Sequence, residues 1–465
     1  MTIWLMVAAF VVTPSGGRIG EQDQPPKTGT TNVAANELAN QPLENLLSLL
    51  INRDPKLKQQ AFRELTRRRD PRSVSGLIEL LRFPASIEGV EIDYLLRNLT
   101  GQRFEKNWIE WASWLTAKEK VELPPLFLEW KAALFAGLVD PNFNRFLFAG
   151  MPLRIRIEEI AWGGVKKDGI PALDNPKQIP AAEAAYLKSG ELVFGVELNG
   201  DARAYPLRMM NVHEMLNDVI GGTAVSLAYC TMCRSGVLFE TTVDGRTFTF
   251  GSSGLLYRSN KLMYDRQTES LWLTMPREPI SGKLANSGIR LKLLPVVVTT
   301  WQEWRDKHPT TKALSPDTGF KRDYSEGAVY ADYFNSDALW FPVPRLDNRL
   351  KPKEEVFALI VNGQPKAYPL KRLSQLRVLN DTLGGQKIVL ISDGKPGGVR
   401  AYERGDAEFK IGKSGVVTPD GREWQVTESA LVEKVSAENL PRLAGHTAYW
   451  FGWTSFYPQT ALHKQ

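Results

Sequence analysis

From Leu43 onward, apolar residues recur at three- and four-residue spacing in LENLLSLLINRD, PKLKQQAFRELTRRRD and PRSVSGLIELLRF, and each block begins or ends with Asp-Pro. That period is helical, and proline suits the first turn of a helix because its missing N–H has no partner to lose there. The spacing continues through IDYLLRNLTG and NWIEWASWLTAKEKVEL. Short stacked helices of a HEAT-like kind are therefore expected over residues 45–120. No polar cluster with catalytic spacing interrupts them, which assigns this part to a scaffold or docking role. Residues 121–190 form a connecting segment, first the amphipathic FLEWKAALFAGLVD and then the turn-rich AWGGVKKDGIPALDNPKQIP.

After residue 190 the pattern changes. LVFGVEL, ARAYPL, AVSLAY, VLFETT, TFTFGSS and KLMYDRQ are short β-prone runs separated by NGD, GG and VDGR. Such punctuation predicts strands and tight turns, with one brief helix around residues 210–218. The expected class is α+β, an N-terminal helical domain followed by a mainly-β region.

That region contains an internal repeat. Residues 193–222 align without a gap on residues 356–385 with 13 identities in 30 positions, where chance gives about two at ordinary residue frequencies. Farther on, Trp301, Trp304, Pro309 and Thr311 pair with Trp450, Trp453, Pro458 and Thr460. Residues 191–315 and 316–465 therefore read as two copies of one β unit. Asn199-Gly200, Tyr205-Pro206-Leu207, Asn217-Asp218 and Gly221-Gly222 recur in the second copy, which assigns them to turns, caps and packing. His213, Cys230 and Cys233 do not recur, being replaced by Leu376, Asp393 and Pro396. Three residues lost together are what a site in the first copy and a degenerate second copy would produce.

Composition adds bounds. At 465 residues two or three domains are expected. A net charge of +6 with only one short basic patch, at residues 67–72, gives no nucleic-acid signature, and that patch reads as a helix end. Residues 3–12 are an apolar run of signal-peptide length, too short for a bilayer, although the usual positive start is missing. Residues 1–18 are read as an export signal or anchor and 19–44 as a linker, so an extracytoplasmic protein, periplasmic or secreted, is expected. No other stretch is long and apolar enough to span a membrane.

Cys230 and Cys233 are the only cysteines, in a C-x-x-C that follows a strand. Two thiolates at that spacing converge on one ion, and His213 from a nearby helix is the candidate third ligand. Soft sulfur favours copper or zinc, and Met232 or Met209, Met210 and Met215 offer a thioether. Three protein ligands leave a position open, so an oxidoreductase is among the readings. Two others stay open: a thiol–disulfide redox protein, and a non-enzymatic interaction protein in which the cysteines brace a turn. Glu214 is a candidate to orient His213, and Arg234, Ser235, Tyr257, Asp265 and Arg266 are candidates to line a pocket for an unknown small molecule or protein. HEMLN has Asn217 where a zinc protease needs its second histidine, and GSSG at 251–254 lacks the features of a phosphate loop.

As a set, DGIPALDNP, AYPLRMMNVHEMLND, GGTAVSLAYCTMCRSG, GSSGLLYRSNKLMYDRQTESLW and the W-x-x-W-x-x-x-H-P ending resemble the uncharacterised bacterial family known as domain of unknown function 3179, from about residue 157 to the C-terminus. The resemblance implies a bacterial, often exported protein and no settled activity. The family pattern reads Cys-Pro-Leu-Cys-Gly where this chain has Cys230-Thr231-Met232-Cys233-Arg234. The family's histidine before glutamate matches His213.

Overall fold

The structure, a computed structural model, describes residues 38–83, 88–394, 398–413 and 415–463. The expected export segment, most of the linker and Pro396 lie outside the described residues. Mixed α+β architecture holds, with helices first and a β-rich part after them.

The helical unit contains α1 (Leu43–Leu49), α2 (Pro55–Arg68), α3 (Val74–Leu80), α4 (Gly89–Thr100), α5 (Trp108–Thr116) and α6 (Phe127–Leu138). Asp54 caps α2 by accepting from Lys56 N at 2.8 Å, and Asp70 accepts from Arg72 N at 3.0 Å, each with proline at the next position. Those caps are the Asp-Pro signals of the sequence. The basic patch closes α2: Arg67 and Arg68 both hold Glu64 at 2.7 Å, while Arg69 takes the left-handed cap. The unit runs past residue 120, to Gly150, and takes in residues 162–169. Its extension has a physical cause, because α6 buries Phe127, Trp130, Leu134 and Phe135 and donates Lys131 to Glu79 of α3 at 2.8 Å.

The β-rich unit holds residues 151–161 and everything from 170. Its first half contains β1 (Leu192–Leu198), β2 (Asp201–Pro206), α7 (Leu207–His213), β3 (Met215–Ile220), β4 (Thr223–Cys230), β5 (Ser235–Glu240), β6 (Phe250–Tyr257), β7 (Asn260–Asp265), β8 (Val297–Thr300), α8 (Trp301–Lys307) and β9 (Lys312–Leu314). After α9 (Ala331–Phe334) come β10 (Glu355–Val361), β11 (Gln364–Pro369), α10 (Leu370–Leu376), β12 (Val378–Leu383), β13 (Gln386–Ser392), β14 (Val399–Glu403), β15 (Gly445–Tyr449), α11 (Trp450–Thr454) and β16 (Ala461–Leu462). Strand pairing follows one scheme in both halves. β8 lies antiparallel to β1, β1 to β2, and β2 runs parallel to β9. β15, β10, β11 and β16 pair in the same senses.

Individual contacts recur as well. Tyr205 and Tyr368 each donate a hydroxyl to Asp218 and Asp381 at 2.8 Å. Trp304 and Trp453 donate their indole N–H to Thr311 and Thr460 at 2.8 Å. Gly221 and Gly384 sit at positive φ, and a Cβ on either would fall 2.1 or 2.3 Å from the carbonyl oxygen of Leu198 or Val361. Only glycine fits there.

One detail differs from the sequence expectation. The helix predicted over 210–218 ends at His213, because Glu214 adopts a left-handed conformation (φ 56°) and Met215 enters β3 opposite Ala228. A left-handed residue cannot continue a helix, so the chain turns directly into the strand.

Candidate functional site

Cys230 ends β4 and Cys233 closes the single 3-10 turn Thr231–Cys233 before β5, where Ser235 pairs with Cys230. Arg234 makes this turn possible by taking φ 48°. Both thiols are free and buried, in an apolar cluster that joins the two halves through Trp272, Val356, Ala358, Tyr449 and Trp450. Cys233 donates its S–H to the Ser259 carbonyl at 3.2 Å. Burial, with Cys230 as its neighbour, pushes the Cys233 thiol well above its usual range.

The walls around the thiols come from distant parts of the chain. Arg258 and Ser259 both have positive φ (51° and 62°) and form the two-residue connection between β6 and β7, a conformation that usually selects Asn or Gly. Its tip is buried, with Ser259 and Asn260 at 3% and 2% exposure. From α11, Gly452 approaches so closely that a Cβ on it would lie 3.1 Å from Cys233 Cβ, 3.6 Å from Met275 Cε and 3.7 Å from Asn260 Oδ1. Thr231 Oγ1, Ser235 Oγ, Ser259 Oγ, Asn260 Oδ1 and Tyr229 OH are buried without a hydrogen-bond partner. Such atoms are rare in folded proteins, and several lie on the segments that flank this cysteine pair.

Beside the thiols lies a buried ion pair. Lys261 Nζ donates to the Glu214 carbonyl at 3.0 Å and stands 3.4 Å from its carboxylate. Tyr330 donates its hydroxyl to the same carboxylate at 3.1 Å, and Tyr333 donates to the Met232 carbonyl at 2.9 Å. Glu214 was expected to orient His213. It serves Lys261 and Tyr330 instead.

His213 faces another way. Its Nδ1 lies 2.8 Å from the Pro171 carbonyl and its Nε2 2.6 Å from the Tyr324 hydroxyl. Burial holds its pKa down at about 4. Among the described residues no group of three His, Cys, Asp or Glu side chains is gathered for a metal, so His213 is not brought to the two cysteines.

The other candidates separate. Arg234 pairs with Glu355 at 2.5 Å, beside Tyr449, at the rim of the thiol site. Asp265 braces its own turn, accepting from Thr268 N at 2.6 Å and Trp272 Nε1 at 2.8 Å. Arg266 pairs with Asp174 at 2.8 Å, and Tyr257 packs against Phe456. Met209 and Met210 belong to a different core from the thiols, whereas Met215 shares theirs and Met232 packs against it. Asn260, Lys261, Met275, Tyr330, Tyr333 and Gly452 were not singled out by sequence reasoning. Asn260 and Lys261 stand within the family-like run at 251–272, the one signal that could have drawn attention to them.

In the second half, Asp393 stands where Cys230 stands in the first. Arg400 Nη1 lies 3.7 Å from Asp393, and Glu428 is held between Arg400 Nε at 2.8 Å and Arg442. His308 Nε2 from the first half is 3.7 Å from Glu428. A cavity of about 630 Å³ lined by Ala184, Leu187, Trp301 and Arg305 includes neither cysteine in its walls.

The sequence profile of the protein of unknown function DUF3179 matches residues 167–460. The chain belongs to that family. The match spans both halves of the β-rich unit and leaves α1 to α6 outside it. No curated protein and no solved structure matches the chain. No described helix is long and apolar enough to cross a membrane.

Proposed function

We propose that this DUF3179 protein is an exported metal-binding protein in which Cys230 and Cys233 hold a soft ion, copper or zinc. The observation that carries the reading is the set of unpartnered polar atoms around two buried thiols, led by Asn260 Oδ1. Burial argues against a thiol–disulfide exchanger, whose attacking thiol must be accessible and readily ionised. It suits an ion enclosed by the chain, bound as the thiols lose their protons. His213 joins the ligands only if Tyr324 gives up Nε2.

Two further parts of the reading concern architecture. The β-rich unit is a duplicated element whose first copy carries the site, supported by the repeated pairing scheme and the paired Tyr–Asp and Trp–Thr contacts. The helical unit is a HEAT-like scaffold for a partner, supported by its succession of short capped helices.

The test is elemental analysis of protein taken from its native compartment, beside Cys233→Ser and His213→Ala. Near-stoichiometric copper or zinc, lost in Cys233→Ser, supports the reading. Metal-free protein with intact thiols sinks it and leaves a structural cysteine pair.

A further inference from the structure

A methionine that the sequence pattern does not single out lies in the core around the proposed ion site. Met275, from the turn after the strand Leu271–Leu273, is 2% exposed and sits in the same apolar cluster as both cysteines. The position that a Cβ on Gly452 would occupy lies 3.1 Å from Cys233 Cβ and 3.6 Å from Met275 Cε, so the Met275 methyl and the Cys233 side chain border one small space. Asn260 Oδ1 borders that space at 3.7 Å, buried and without a hydrogen-bond partner. Apolar packing explains Met275 and Gly452 but not an orphaned amide oxygen beside them, because burying such an atom unpaired is costly.

Resting on the metal reading above, we propose that Met275 is a third ligand and that the site Cys230–Cys233–Met275 takes copper(I) rather than zinc. Zinc asks for four N, S or O donors in a tetrahedron, and its protein sites are built from Cys, His and carboxylates. No His, Asp or Glu among the described residues completes a group of three with these thiols. A thioether is a soft donor that selects copper(I). Binding exchanges two S–H bonds for two copper–thiolate bonds and releases two protons to solvent, with the copper staying in its +1 state. Because two protons leave, uptake is favoured as pH rises.

Anaerobic titration of the full chain with copper(I), and separately with zinc(II), tests this in the wild type, Met275→Leu and Cys233→Ser. X-ray absorption at the copper edge counts the sulfurs. Leucine conserves volume, and an unchanged apo unfolding midpoint confirms that its fold is kept. Expected is one copper per chain with three sulfur neighbours, falling to two in Met275→Leu. The copper affinity of that variant falls by at least the 10- to 100-fold, roughly, that losing a supporting contact costs at other metal sites, while zinc binding is unmoved. Equal sulfur counts and affinities in wild type and Met275→Leu overturn the role of Met275 and leave a two-cysteine site standing. A wild-type chain that takes up neither metal overturns the metal reading itself.

Discussion

Tyr324 donates its hydroxyl hydrogen to His213 Nε2 across 2.6 Å. The direction follows from the other nitrogen: Nδ1 faces the Pro171 carbonyl, which can only accept, so Nδ1 carries the ring proton and Nε2 the lone pair. Thr318 lies 2.6 Å from the same hydroxyl and donates to it. The histidine that the sequence places among the ligands holds, in this structure, the segment that joins the two halves.

Replacing Tyr324 by Phe leaves a buried imidazole acceptor unpaired. The expected loss is about 1–2 kcal/mol of folding stability, measured by denaturant unfolding. The same variant separates two roles for His213. Unchanged metal affinity fits an anchor, and a rise fits a ligand released from its competitor.

Stability should fall with acid below neutrality. His213 and His446 are both pushed by burial from 6.5 to about 4. A base with a depressed pKa in the fold binds its proton first in the unfolded chain. The stability is therefore present above pH 6.5 and is lost as pH drops toward 4, by up to roughly 3 kcal/mol for each histidine. Unfolding curves between pH 4.5 and 7.5 should show this slope, and replacing either histidine by Gln should remove about half of it. A flat profile in the wild type would refute the assignment.

Asn217 and Asn380 act as pieces of strand. Asn217 accepts from Phe250 N at 2.9 Å and donates to Phe250 O at 2.9 Å, and Asn380 does the same with Phe409 at 2.9 and 2.8 Å. Each leucine substitution strands a backbone donor and acceptor. A cost of about 2–3 kcal/mol is expected at both positions, with copper binding unaffected by Asn380→Leu.

Glu428 sits between Arg400 and Arg442, and although burial works against its charge, those two guanidiniums hold its pKa well below the usual carboxylate range. Glu428→Gln removes the shared carboxylate from Arg442 and from Arg400, which then keeps Asp393 at 3.7 Å, and should cost about 3 kcal/mol or more. Thermal unfolding measures it, and the thiol site gives the control, since its metal content should not change.

Gly452→Ala places a methyl 3.1 Å from Cys233 Cβ, closer than packed side chains normally approach. The gain in helix propensity is at most about 1 kcal/mol, while overpacking costs about 1–3 kcal/mol, so net destabilisation is expected. Gly452→Val should be worse. Reduced copper occupancy in both would accompany the lost stability.

Local features were legible because local chemistry decides them. Asp54 and Asp70 cap where Asp-Pro stands, and helical periodicity precedes strand periodicity in the order in which the structure places helices and strands. The thirty-residue internal match pointed to Gly221 and Gly384, which serve turns for a visible steric reason, whereas Asn217 and Asn380, marked by the same match, lie in strands. The two cysteines were legible as a pair because their spacing alone brings them to one turn. The helix expected at 210–218 lies at Leu207–His213, since nothing in the pattern marks Glu214 as left-handed.

Which residues meet those cysteines was decided only by tertiary structure. Ser259, Asn260, Met275 and Gly452 lie from 26 to more than 200 positions along the chain from Cys233, and they converge because both β halves contribute to one core. His213 is closer in sequence than Gly452 and yet turned away, because a single left-handed residue after it redirects the chain and leaves its ring beneath Tyr324. Sequence spacing controls proximity over one turn of helix or one hairpin. Beyond that range, the packing of strands and helices sets the neighbours.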